Sequence, residues 1–216
     1  MQKLNKTALT TVGLLGICQF SKLFKVSYII GSSCALFSMN NIYSPMVGVL
    51  SSSGVGALFF GLKALVKFFA IGGNPLLIVA LQVPLICTAI AWNKKSFMAA
   101  VSVLSIILFN LNPVGSAAFV YSMLWLIPLA IAMLNKNNKF LTALGSTFTG
   151  HAVGSVAWLY FGPTLAPAIW VGLIPIALSE RVVFALGMAL SYQLYYYAVS
   201  LLNKYRVKQS LGASVL

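Results

Sequence analysis

The sequence predicts an all-α fold, a polytopic bundle of about six to eight transmembrane helices whose last part is broken by prolines. Three observations support this prediction. First, 60% of the 216 residues are hydrophobic and 7% are charged, whereas soluble domains carry about 25% charged residues. Second, the mean hydropathy is +0.96. Third, the apolar residues form long runs between short basic clusters, which indicates helices and not barrel strands that alternate over about ten residues.

The net charge of +13 comes from 14 lysines and arginines against one acidic residue. We interpret the lysines as determinants of membrane topology that also bind anionic lipid headgroups. The alternative, a nucleic-acid partner, is not favoured because no basic patch is interleaved with base-stacking aromatics. The sequence therefore predicts membrane lipid as a partner and no nucleic acid.

The acidic and histidine content excludes most enzyme classes. The chain has one histidine and one acidic residue, too few for a Ser-His-Asp triad, a paired-carboxylate hydrolase or an ordinary metal site. Its cysteines, Cys18, Cys34 and Cys87, are widely spaced in apolar runs and are interpreted as small buried hydrophobes. We expect no catalytic site, no metal and no cofactor.

In chain order, the first apolar run covers about residues 8–20 and is followed by SKLFK in place of a small-residue cleavage site. It is interpreted as a retained helix and not as a cleaved signal peptide. Residues 26–39 are barely long enough for a span, and NNIYSP predicts a turn at 40–45. After it, Gly48, Ser52 and Gly56 recur every four residues, which predicts one helix face that packs closely on another helix.

Four further helices are predicted between loop-like breaks at 72–75, 93–95, 110–113, 135–139 and 162–163. They are Pro75 to Trp92, Ser96 to Phe109, Gly115 to Leu134 and Phe140 to Phe161.

The last part of the chain contains Pro163 and Pro167 and then an apolar run from Ala168 to Leu202, too long for one ordinary span and too short for two. We expect Ala168 to Leu178 to be a short interfacial segment and the last span to begin near Arg181. Residues 208–216 form a short polar tail. The whole chain, 1–216, is predicted to be a single integral membrane domain.

Basic clusters set the predicted orientation. Lysines and arginines gather at 94–95, at 136 and 139 and at 204–208, so these loops and the N-terminus are placed in the cytoplasm. The loops at Asn74, at 110–112 and at 162–167 then lie outside, as do Lys22 and Lys25, which are an exception to the rule. The predicted location is a prokaryotic inner membrane.

The candidate site is the stretch 145–191, which holds the histidine, His151, and the acidic residue, Glu180, beside Arg181. Ionisable groups inside a membrane are costly and mark candidate functional sites. One interpretation has Glu180 capping the last helix while Arg181 faces a cavity and an anionic group. The alternatives are a salt-bridged pair at the membrane interface and, for His151, a hydrogen-bonded packing residue beside the GxxxG pattern of Gly150 and Gly154.

In the predicted topology, polar groups of the outer side gather above His151 over an apolar, aromatic-lined cavity, the usual form of a small-molecule site. The predicted substrate-binding residues are His151, Trp170, Glu180, Arg181 and Asn112.

The segment PMVGVLSSSGVGALFFGLKALVKFF, followed by GGNP and a further span, resembles the early helices of the S components of energy-coupling-factor vitamin transporters. The resemblance implies a helical bundle that captures a vitamin-like micronutrient from the outer face. It also implies a partner membrane subunit and cytoplasmic ATPases, because this chain has no GxxxxGK[ST] P-loop. No binding residue is carried over. The alternatives are a membrane scaffold subunit without a ligand and an intramembrane enzyme, which the shortage of catalytic side chains disfavours.

Overall fold

The computed structural model describes residues 13, 16–18, 20–24, 38–71, 82–134 and 137–213, and within these ranges the chain forms helices and no strand. The all-α prediction is therefore confirmed for the described residues. The predictions for residues 26–37, for the break at 72–75 and for Lys136 lie outside them. The helices are α1 (Asn40–Leu50), α2 (Ser53–Ile71), α3 (Val83–Asn93), α4 (Lys95–Leu111), α5 (Pro113–Ala117), α6 (Phe119–Ser122), a 3₁₀ turn (Met123–Trp125), α7 (Leu126–Met133), α8 (Lys139–Phe161), α9 (Pro167–Gly172) and α10 (Ile174–Ala213).

By length and composition, one helix among the described residues is able to cross a membrane, the part of α10 from Ile174 to Lys204. Its exposed face carries large apolar side chains at intervals of three or four residues. They are Val182, Leu186, Leu190, Leu194, Tyr197 and Leu201. The opposite face is buried and packs on α8 and α1. The helix therefore exposes one apolar face and buries the other.

Helix α8 is the axis of the bundle, because it packs against α3, α4, α7 and α10. Small side chains make these close approaches possible on several faces of one helix. At Gly145, a Cβ would lie 2.6 Å from the Sδ of Met98 on α4 and 3.1 Å from the Cγ2 of Ile131 on α7. A larger residue at this position would force the end of the Met98 side chain to move.

The GxxxG pattern of α8 packs on α3. A Cβ on Gly150 would overlap the Thr88 hydroxyl and lie 2.7 Å from the Pro84 carbonyl oxygen. A Cβ on Gly154 would lie 3.3 Å from Pro84 Cγ. The two glycines thus form the surface on which α3 rests, as the packing interpretation of this pattern predicts.

The segment NNIYSP is helical, so the predicted turn at 40–45 is wrong. Helix α1 begins at Asn40, whose side-chain oxygen accepts a 2.7 Å hydrogen bond from the Ser44 hydroxyl. The turn lies at Ser51 and Ser52 instead. Gly48 and Gly56 consequently lie on two helices, and a Cβ on Gly56 would be 2.8 Å from Gly48 Cα. The predicted close contact is present, but it closes a helical hairpin.

The predicted helix Gly115 to Leu134 is divided into α5, α6, the 3₁₀ turn and α7. Ala118 leaves the helical region, with φ −110° and ψ 29°. Pro128 has no N–H to donate to the Leu124 carbonyl, so one α-helical hydrogen bond is missing there. Leu124 lies in the 3₁₀ turn. The segment is therefore an irregular rod, and it places Tyr121 and Trp125 against α4 and α8.

The start of the last helix also differs from the prediction. Helix α10 begins at Ile174 and not near Arg181, and the expected interfacial segment 168–178 is shared between α9 and α10. The reason is that Pro167 and Pro175 occupy the first and second positions of their helices, where proline loses no hydrogen bond. The break of the chain by prolines therefore falls at 162–166.

Gly150→Ala tests the axial packing of α8. Because the added methyl group meets Thr88 and the Pro84 carbonyl, we expect the free energy of unfolding to fall by about 1–3 kcal/mol. The control is Gly61→Ala on α2, where a Cβ meets nothing within 4 Å. The measurement is the chemical unfolding midpoint of each purified variant. Equal stabilities of the two variants would show that α8 and α3 are not in close contact.

Candidate functional site

Three polar side chains form a hydrogen-bonded cluster inside the bundle. The Tyr121 hydroxyl lies 3.0 Å from His151 Nε2 and 3.1 Å from the Ser155 hydroxyl. Tyr121 is 2% exposed, Ser155 is buried and His151 is partly buried. We call Tyr121, His151 and Ser155 the relay, because the tyrosine hydroxyl joins the other two.

The spacing on α8 positions two members of the relay. His151 and Ser155 are four residues apart, so they lie on one helix face. Thr147 continues that face by one turn, and its hydroxyl is 3.4 Å from the Arg181 carbonyl oxygen of α10. The short helix α6 supplies Tyr121 from the other side. The polar face of α8 thus contacts both α6 and α10.

An aromatic layer covers the relay. The ring centroid of Trp170, on α9, is 5.1 Å from that of Tyr121 and 5.3 Å from that of Phe109. Trp125 packs edge-on against Phe109 at 5.2 Å. The segment after Phe161 therefore folds back over the cluster, and Trp170 reaches it through Tyr121. Trp170 and His151 each contact Tyr121, and their role in binding a solute stays a prediction.

Two indole groups of this layer bury their N–H donors. Trp125 is fully buried and Trp170 is 3% exposed, and neither Nε1 has a hydrogen-bond partner among the described residues. A buried donor without an acceptor is energetically costly and is rare in folded proteins. A bound solute or water with an acceptor atom would satisfy these donors.

Glu180 and Arg181 form an ion pair in the interior, with a 3.4 Å distance between Arg181 Nη2 and Glu180 Oε2. Both side chains are buried, and the guanidinium carbon lies 4.5 Å from the Phe184 ring centroid. The charges act on Tyr121, and that of Arg181 also acts on His151. The pair therefore belongs to the electrostatic surroundings of the relay.

The predicted cap by Glu180 is wrong. Because α10 begins at Ile174, Glu180 lies well inside the helix, where no backbone N–H is left to cap. The alternative of a salt-bridged pair is present, and the pair is buried among packed helices. Such a pair needs compensation for the loss of hydration of both charges. The Phe184 ring, on the same helix, lies against the Arg181 guanidinium. Thr147 of α8 donates to the Arg181 carbonyl oxygen.

Asn112 has a local role in the structure. Its side-chain oxygen accepts a 2.9 Å hydrogen bond from Val114 N, and it is the N-cap of α5. In the described part of the chain, Asn112 has no hydrogen bond to the relay. Asn110 instead links two helices, since its side-chain nitrogen donates to the Ser122 hydroxyl at 2.9 Å.

Sequence reasoning missed Tyr121 and Ser155. The spacing of Ser155 from His151 was a usable signal, because residues four apart share a helix face. No local signal identified Tyr121, since its partners lie 30 and 34 residues away along the chain.

The relay presents hydrogen-bonding groups of three side chains at one place. The Tyr121 hydroxyl stands between Ser155 and His151, so the histidine has no contact with a serine nucleophile of the kind that acyl transfer needs. In the described part of the chain, no three His, Cys, Asp or Glu side chains come together as metal ligands. The arrangement offers hydrogen bonds beside stacked aromatic rings.

Removing one charge of the ion pair tests its burial. For Glu180→Leu, we expect the free energy of unfolding to fall by about 3–5 kcal/mol, because the Arg181 charge loses its partner in the interior. The double variant Glu180→Leu/Arg181→Met should recover most of that loss. Exposed Ser179→Ala serves as the control. Denaturant midpoints check this prediction, and equal loss in the single and double variants would contradict it.

No protein-family model, no curated protein and no solved structure matches this chain. The resemblance to S components therefore stays a prediction, and the function has to be argued from the geometry.

Proposed function

We propose that the chain is a multi-pass membrane protein of a prokaryotic inner membrane that binds a small solute beside the relay. The observation that carries this proposal is the distribution of polarity. The interior holds an ion pair and a hydrogen-bonded histidine, while the exterior of long helices is apolar. This is the arrangement expected of a bundle that meets lipid outside and a polar ligand inside.

The apolar exterior supports the membrane part of the proposal. In addition to the exposed apolar face of α10, large hydrophobic side chains are exposed on two other helices. They are Leu58, Leu62, Leu65, Val66 and Phe69 on α2 and Val103, Leu104, Ile107 and Leu111 on α4. Contiguous apolar patches of this kind on several helices are unfavourable in water. Serine and threonine hydroxyls of the interior bond to carbonyls one turn back, as Thr149 does to Gly145, which suits helices in lipid.

The aromatic layer supports the solute part. Phe109, Tyr121 and Trp170 present ring faces and edges, and the buried indole N–H groups of Trp125 and Trp170 have no acceptor within the described ranges. A flat, weakly polar solute with acceptor atoms fits these surroundings. A vitamin-like micronutrient has this chemistry. By the resemblance, such a protein would deliver its solute with a partner membrane subunit and cytoplasmic ATPases.

One observation favours the alternative of a scaffold subunit without a ligand. The relay is satisfied by its own members, because the Tyr121 hydroxyl has partners in both His151 and Ser155. In that case the glycine surfaces and exposed apolar stripes would serve helix–helix and subunit contacts only.

Native mass spectrometry of the purified protein tests the solute proposal. We expect the wild type to retain one small molecule and Trp170→Phe, which loses the buried N–H donor, to retain it at about a tenth of the occupancy. Tyr160→Phe is the matched control, because it also removes one side-chain donor, and the Tyr160 hydroxyl bonds to the Leu108 carbonyl at an exposed position outside the relay and its aromatic layer. Equal occupancy in both variants would remove Trp170 from the site, and a wild type that retains only a protein partner would support the scaffold.

A further inference from the structure

A concave site lies near the start of α8. It is a pocket of about 370 Å³ between α1, α3, α4, α7, α8 and α10. None of its lining residues belongs to the relay or to its aromatic layer. Its lining includes Lys95 and Lys139, which belong to loop regions that the sequence predicts to be cytoplasmic.

Two lysines from different helices contribute to the pocket, Lys95 of α4 and Lys139 of α8. The ammonium group of Lys95 donates to the Leu134 carbonyl at 2.6 Å, which holds the side chain across the end of α7. The ammonium group of Lys139 lies 5.0 Å from the Tyr192 ring centroid. Both cations are therefore fixed at the pocket by contacts with other elements.

Neutral donors and an aromatic wall complete the polar side. Asn93 and Asn137 contribute amide groups, of which Asn93 donates one N–H to the Ala89 carbonyl oxygen at 3.2 Å. The Thr142 hydroxyl donates to the Asn138 carbonyl oxygen at 2.9 Å. Tyr192 packs against Trp92 at 5.2 Å and against Tyr196 at 4.6 Å between ring centroids. Lysine ammonium groups and amide N–H groups are donors that bind phosphate oxygens.

The pocket has no anion of its own. The chain has a single acidic side chain, Glu180, which is buried against Arg181 and does not line the pocket. No carboxylate side chain is among the described residues that line the pocket. Two lysines at one concave site favour the binding of an anion.

The remaining lining residues are apolar. Val49, Met98, Ile131 and Leu141 lie beside the polar groups. An anionic ligand that also carries an apolar part matches both sides of the pocket, and the headgroup region of an anionic phospholipid is such a ligand.

We propose that this pocket binds a phosphate ester through Lys95 and Lys139, with the aromatic wall and apolar residues holding the rest of the ligand. The same chemistry is available in the phosphate of an anionic lipid and in a soluble phosphate ester. The site is separate from the relay, so it does not depend on the solute proposed there.

Native mass spectrometry of the full-length, delipidated protein tests the site with two probes, phosphatidylglycerol and glycerol 3-phosphate. We expect wild type to retain one molecule of a probe and Lys139→Gln to retain it about fivefold less. Lys139→Arg keeps the charge and should bind like wild type. The matched control is Lys204→Gln, which removes an exposed lysine outside the pocket.

Binding of either probe supports the site if Lys139→Gln binds it more weakly than the wild type. Retention of phosphatidylglycerol assigns a lipid, and retention of glycerol 3-phosphate alone assigns a soluble ester. Binding of neither probe overturns the proposal, as does an equal loss in Lys204→Gln. If the thermal midpoint shows that Lys139→Gln does not fold, Lys95→Gln replaces it, with the same fivefold loss expected and wild-type retention overturning the proposal.

Discussion

The structure depends on the close packing of one helix, α8, whose small residues let three different neighbours approach its backbone. Gly145 admits Met98 and Ile131, and Gly150 and Gly154 admit Pro84 and Thr88. In lipid, such packing supplies the association energy that the hydrophobic effect supplies in water. Because α8 packs on several helices, the polar side chains in its middle part, such as Thr147 and Ser155, lie in the interior of the bundle.

That constraint explains why the polar groups of the protein meet where they do. His151 and Ser155 lie on the side of α8 that the glycines do not occupy, and the irregular rod of α5 to α7 brings Tyr121 to them. The same side faces the start of α10 and its ion pair. The ion pair of Glu180 and Arg181 is therefore internal. Lys95 and Lys139 lie at helix starts, since Lys95 begins α4 and Lys139 begins α8.

Local patterns in the sequence predicted the breaks at 93–95, 110–113 and 162–167 and the role of the GxxxG pair, because these depend on turn chemistry and on side-chain size. They did not predict that NNIYSP is helical, since the packing of α1 on α3, α10 and α2 overrides its turn-forming composition. Tyr121 was missed because only the folded chain brings α6 to α8. The sequence predicted that the last helix begins near Arg181, whereas α10 begins at Ile174. For this reason, the salt-bridge alternative located the pair at the membrane interface.

The central claim is that an apolar exterior faces lipid around a polar interior. Spin-label accessibility along α10, in liposomes and in a variant without native cysteines, tests it most directly. Labels at Leu186, Leu190 and Leu194, each more than half exposed, should show high collision rates with oxygen and low rates with a water-soluble nickel complex. Labels at Ala185 and Met188, which are buried, should be protected from both. High nickel accessibility at the leucines, or no helical period, would contradict the account.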